Sequence, residues 1–155
     1  MGPHPIQRMK RIIFLVITFA GAALADSNEW TALHTAAGAG DVKTATTLIR
    51  QHPEYLNAPE TGSHTPLHVA VFDRQTNTTA LLIKCGADVN APDVCGWSPL
   101  HMAAYRGETA SAEALLAGGA DVNLKDHTGQ TPLRLAIKYK HDALAKTLRQ
   151  HGAKE

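Results

Sequence analysis

Cysteine, aromatic side chains, long apolar runs and any excess of charge are all scarce in these 155 residues. The two cysteines, Cys85 and Cys95, permit one bridge at most, and the extended stretch between them predicts a separation too large for pairing. The apolar run 12–24, broken only by Thr18 and Gly21, falls short of the roughly 20 residues that a membrane-spanning helix needs. Gly-rich phosphate loops, nucleophile elbows and paired carboxylates are missing as well, so catalysis has no obvious residues to use. The reading is of a protein that is not an enzyme and takes no cofactor and no metal.

What is present is an ordinary soluble composition, 44% apolar and 19% charged, in a length that suits one domain. The first 25 residues stand apart. Arg8, Lys10 and Arg11 precede the apolar run, and Ala23-Leu24-Ala25 offers a small-residue cleavage site before Asp26, the pattern of a secretory signal peptide over residues 1–25. Met9 followed by Lys10 and Arg11 would itself open a bacterial export signal, so Met9 is an alternative start. Export predicts a periplasmic location first and a secreted one second, with no stable insertion in the membrane after cleavage. Loss of the three cations lowers the formal charge from +1 to −2, which argues against nucleic acid as a partner.

From Thr31 onward the chain repeats itself. Thr31-Ala-Leu-His-Thr-Ala-Ala37, Thr65-Pro-Leu-His-Val-Ala-Val71, Ser98-Pro-Leu-His-Met-Ala-Ala104 and Thr131-Pro-Leu-Arg-Leu-Ala-Ile137 begin 34, 33 and 33 residues apart. Each segment predicts a helix start, with a hydroxyl cap and, in three copies, proline at the first helical position, where no backbone donor is lost. Leu33, Leu67, Leu100 and Leu133 share a helical face with Ala36, Ala70, Ala103 and Ala136, a face predicted to be buried. A second helix follows in each unit, and Gly86, Gly119 and Gly152 stop three of them.

With the turns Gly86-Ala-Asp-Val-Asn90 and Gly119-Ala-Asp-Val-Asn123, the sequence resembles the ankyrin repeat family. The resemblance implies an all-α repeat solenoid of four repeats, at about 28–60, 61–93, 94–126 and 127–155 within a domain 26–155, each with two antiparallel helices and a projecting β-hairpin. Departures from the pattern are specific. The turn after His52-Pro53 is one residue longer with Gly62 out of phase, which predicts an irregular hairpin. Arg74 and Lys140 replace the inter-helix glycine kept at Gly40 and Gly107, so the resemblance leaves the loop geometry of repeats two and four open. Arg134 and Arg149 in the last unit suit a capping repeat whose outer face meets water.

Nine histidines raise the rival reading of a histidine-dependent enzyme or metal-binding protein. His34, His68 and His101 recur with the repeat, however, which a structural role at the helix start explains. The resemblance further implies a monomer that binds another protein through its hairpin tips and the concave side of its first helices. Five of the six aromatics beyond residue 25 fall on those positions. The predicted protein-binding residues are Trp30, Phe72, Asp73, Trp97, Tyr105, Arg106, Lys138 and Tyr139, an aromatic and arginine stripe of the kind that anchors interfaces. The competing view has these rings packing between neighbouring loops and stiffening the array. Similar small exported bacterial proteins imply an accessory, inhibitor or immunity role toward an envelope enzyme or toxin, with a secreted effector that binds host proteins as the alternative.

Overall fold

The computed structural model describes residues 31–154. The signal peptide, the alternative start at Met9 and the predicted contact residue Trp30 lie outside the described residues. Among the described residues eight α-helices follow one another in four antiparallel pairs: α1 (Thr31–Ala39) with α2 (Val42–Gln51), α3 (Pro66–Phe72) with α4 (Thr76–Lys84), α5 (Pro99–Arg106) with α6 (Thr109–Ala117), and α7 (Pro132–Lys138) with α8 (Asp142–Gln150). First helices stack on first helices and second on second, which makes a two-layered solenoid. None of the described helices is long and apolar enough to cross a membrane.

The repeated residues explain the stacking. Leu33, Leu67, Leu100 and Leu133 are fully buried, and Ala36, Ala70, Ala103 and Ala136 sit beside them with at most 5% exposure. The small alanines let neighbouring helices approach, and each buried leucine contributes roughly 2 kcal/mol of transfer free energy. Leu82, Leu115 and Leu148 from the second helices close the core from the other side. Arg134 and Arg149 are exposed, as a terminal repeat requires.

His68 and His101 complete their helix starts, and all three histidines of the repeat tie their unit to the next. Ser98 N–H donates to His101 Nδ1 at 3.1 Å, in a capping box where imidazole takes the place of the usual carboxylate. The other nitrogen, Nε2, then carries the proton and bonds the Gln130 carbonyl one repeat on, at 3.1 Å. His68 does the same between Thr65 N–H, at 3.2 Å, and the Trp97 carbonyl, at 3.0 Å. His34 Nε2 lies 3.0 Å from the His64 carbonyl.

The loops between repeats differ from the projecting hairpins that the resemblance implies. Among the described residues no strand forms, and each loop is a tight turn. Asp93 N–H donates to the Trp97 carbonyl at 2.9 Å, while Asp93 Oδ1 accepts from Cys95 N–H at 2.7 Å and Trp97 N–H at 2.8 Å. The carboxylate thus takes amides that a strand ladder would otherwise use. Neighbouring tips are joined by one backbone–backbone bond each, Val94 N–H to the Gly62 carbonyl and His127 N–H to the Cys95 carbonyl, both at 3.1 Å.

The departures from the repeat are absorbed without loss of register. Arg74 and Lys140 both adopt φ 60°, close to the 72° of Gly40 and 68° of Gly107, so the inter-helix loop is conserved at the cost of left-handed backbone in a side-chain-bearing residue. The extra residue of the first repeat is taken up by a 3₁₀ turn at Pro53–Asn57. The tip that follows is irregular as the sequence predicts, with a 3₁₀ stretch at Thr61–Ser63 and left-handed backbone at Gly62 as well as at Ser63, yet it keeps the closing bond. Glu60 N–H meets the His64 carbonyl at 2.9 Å, the same closure as in the later tips, and Ser63 assumes φ 60° where Gly96 and Gly129 stand in the other copies.

Candidate protein-binding face

Phe72, Tyr105 and Lys138 occupy one position of their repeats, and Asp73, Arg106 and Tyr139 the next. They do not contact one another position for position. Each residue of the second set lies over the first-set residue of the preceding repeat. The Arg106 guanidinium carbon is 4.5 Å from the centroid of the Phe72 ring, a cation–π contact. Tyr139 meets Tyr105 edge to face with centroids 4.8 Å apart. Gly38 fits the same diagonal, because a Cβ there would come within 2.7 Å of Asp73 Oδ2.

Trp97 extends this chain of contacts to the loop tips. Its ring lies 5.5 Å from that of Tyr105, and its Nε1 donates to Asp126 Oδ2 at 3.0 Å. Asp126 is held ionised there. Its burial opposes the charge, but hydrogen bonds from Thr128, Gln130 and Trp97 outweigh that effect and place its carboxyl below the ordinary 3.8. His64, at the equivalent position one repeat earlier, points at Asp93 Oδ2 from 3.5 Å. His64 and Trp97, each the residue before a helix start, therefore both reach forward to the aspartate of the next tip.

Of the predicted contact residues that are described, the structure connects Trp97, Tyr105 and Tyr139 in one run and Phe72 and Arg106 in a second. Lys138 Nζ stands 5.6 Å from the Tyr139 ring centroid, with no following repeat to cover it. Phe72 and Tyr139 each remain 40% exposed, and Trp97, Tyr105 and Arg106 are half-buried. Both views of the stripe therefore have a physical basis: the rings pack across repeats, and they leave apolar surface open to solvent.

Several contributors have no counterpart in the sequence reading. Arg74 Nη2 donates to the Arg106 carbonyl at 3.0 Å, and its Nε lies 3.8 Å from Glu108. His141 Nε2 lies 3.1 Å from the Tyr105 carbonyl. Val94, 61% exposed at a loop tip, adds an apolar side chain to the open surface. On the loop side an asparagine ladder runs along the array: Asp88 N–H to Asn57 Oδ1, Asp121 N–H to Asn90 Oδ1 and Lys154 N–H to Asn123 Oδ1, all at 2.8 Å. The recurrence of Asn90 and Asn123 after Asp-Val is the signal that could have revealed it.

The chemistry available elsewhere is limited. His68 and His101 have both ring nitrogens engaged, and burial lowers the pKa of each from the ordinary 6.5 despite opposing help from the Trp97 and Gln130 carbonyls. They are neutral structural groups, spent on hydrogen bonds within the array. Among the described residues, no three His, Cys, Asp or Glu side chains gather in a metal-ligating group. Cys85 and Cys95 are both exposed free thiols.

A family model described as ankyrin repeats, in three copies, matches residues 8–93 and again residues 75–155. The chain belongs to the ankyrin repeat family. As an ankyrin repeat protein it carries a fold whose typical work is non-catalytic protein–protein interaction. The stacked helix pairs, the repeated Leu and Ala positions and the histidine-capped helix starts are the family architecture worked out in this chain's residues.

Proposed function

We propose that this ankyrin repeat protein is an exported docking module that binds another protein through the surface formed by Phe72, Asp73, Trp97, Tyr105, Arg106, Lys138 and Tyr139, with Trp30 at its first repeat. The observation that carries the reading is the continuous run Trp97, Tyr105, Tyr139, whose rings are braced against each other yet partly open to solvent. Large, pre-positioned aromatic side chains lose little rotamer freedom on binding, which is why they serve as interface anchors. The leader-like stretch 1–25 supports export, with the periplasm as the destination. In that compartment the module serves as an accessory, inhibitor or immunity partner of an envelope enzyme or toxin.

The experiment is site-specific photo-crosslinking in the producing cell. A photoreactive residue in place of Phe72 should capture one partner protein, and the same residue in place of the exposed Thr46, on α2, should not. Equal capture from both positions, or none from Phe72, would contradict the reading.

A further inference from the structure

Charge is distributed unevenly over the proposed docking face, and the distribution selects an occupant. Toward the first repeat the exposed positions include Thr35, Ala39 and Asp73, and the one cation there, Arg74, the counterpart of Lys140, is answered by Glu108 at 3.8 Å. Toward the last they are Lys138 and Lys140, with half-buried Arg106 between. Among the described residues these three cations have no ion pair, and the Arg106 Nε is buried without an acceptor. The carboxylates that could have answered them are committed elsewhere. Glu108 is engaged by Arg74 at 3.8 Å, and Asp126 accepts from Trp97 and from the backbone amides of Thr128 and Gln130. Asp142 remains, at the start of α8, where the partial positive charge of a helix N-terminus already favours it. The whole chain carries only +1, so this is a local cluster and no reflection of general basicity.

We infer that the occupant is a segment of the partner protein in which carboxylates lie beside aromatic or branched apolar side chains. Its apolar groups would cover Trp97, Tyr105 and Tyr139, and its carboxylates would meet Arg106, Lys138 and Lys140. The inference rests on the docking reading and adds the chemistry of what docks. Arg106 is held by its contact with the Phe72 ring, 4.5 Å from the guanidinium carbon to the centroid, and a planar guanidinium is the group that suits a carboxylate fork. A nucleic acid fits less well. Tyr105 is already in contact with two rings, Trp97 at 5.5 Å and Tyr139 at 4.8 Å between centroids, which crowds it for stacking a base. Three cations also neutralise too few phosphates to hold a strand at physiological salt.

The test is selection of a displayed library of short random peptides on the full chain and, in parallel, on the Lys138→Glu/Lys140→Glu double variant, with thermal melting of both to confirm folding. Lys138→Gln/Lys140→Gln provides a milder second variant. Binding of oligo-thymidylate is measured alongside. The chain should enrich peptides with Asp or Glu next to Phe, Trp, Tyr or Leu, and the charge-reversed variant should bind those peptides at least about tenfold more weakly. Enrichment of apolar peptides without acidic residues, or of basic peptides, would overturn the inference and leave the docking face standing. Failure to enrich any peptide would count against the docking face itself, and with it the inference. Oligo-thymidylate binding more tightly than the selected peptides would overturn it in favour of nucleic acid.

Discussion

Tyr139 of the fourth repeat packs edge-on against Tyr105 of the third, with ring centroids 4.8 Å apart, although the two stand one position apart in their repeats. The same diagonal places Arg106 over Phe72. This offset converts separate side chains into a continuous surface, because each ring or cation is supported by the repeat before it. It also gives the pair a measurable coupling. A double-mutant cycle with Tyr105→Ala and Tyr139→Ala should return about 1 kcal/mol of interaction energy in urea unfolding. Strict additivity would mean that the contact contributes nothing.

Lys140 holds left-handed backbone that glycine would adopt freely. Lys140→Gly is therefore expected to stabilise the fold by about 1 kcal/mol, less what glycine adds to the entropy of the unfolded chain. Arg74→Gly should yield a smaller gain or none, since Arg74 has the same φ but also bonds the Arg106 carbonyl and approaches Glu108. Thermal melting of the two variants checks the order. An equal gain from both would show that the Arg74 contacts carry no energy.

The histidine ladder predicts sensitivity to mild acid. Burial, acting first, and the donors facing Nδ1 keep His68 and His101 below their ordinary pKa of 6.5 in the folded state. The unfolded chain therefore takes up protons near pH 6.5 that the folded chain refuses, so unfolding is proton-coupled and stability rises with pH across that window. Acidification from neutral pH should lower the melting temperature. Each histidine contributes up to about 1.4 kcal/mol per pH unit below 6.5, until its own folded pKa is passed. A melting temperature that stays level or rises between neutral pH and the onset of carboxylate titration would contradict this.

The asparagine ladder makes a local prediction. Removing the Asn90 side chain leaves the Asp121 amide without its acceptor, which in this exposed setting should cost about 1 kcal/mol. Hydrogen exchange at the Asp121 amide should quicken in Asn90→Ala and stay slow in Asn90→Asp, which keeps an oxygen at that place. Unchanged protection in the alanine variant would remove the ladder from the account.

The residues whose roles are set within one repeat were readable from the chain. Leu100, Ala103 and the Ser98-Pro99 start act through helical periodicity and capping, and both leave a 33-residue signature. What could not be read depends on neighbouring repeats. Arg74, Lys140 and Ser63 look like breaks in the pattern because propensity disfavours φ near 60°, yet the loops of neighbouring repeats stack beside them and hold them there. The tips look like hairpins until the carboxylates of Asp93 and Asp126 are seen to take the loop amides. For the binding face, the family resemblance placed Phe72, Trp97, Tyr105 and Tyr139 on one side but not the diagonal offset that joins them, which depends on how far each unit turns relative to the last.

The central claim is that the aromatic face binds a protein rather than only bracing the array, and affinity for the partner captured through Phe72 tests it most directly. Trp97→Ala with Tyr105→Ala, shown by thermal melting to remain folded, should weaken binding by several kcal/mol, as loss of paired anchors does, roughly a hundredfold or more in Kd. Thr46→Lys, on the opposite helix layer, should leave Kd unchanged. An affinity that survives loss of Trp97 and Tyr105, or falls equally with Thr46→Lys, would contradict the account.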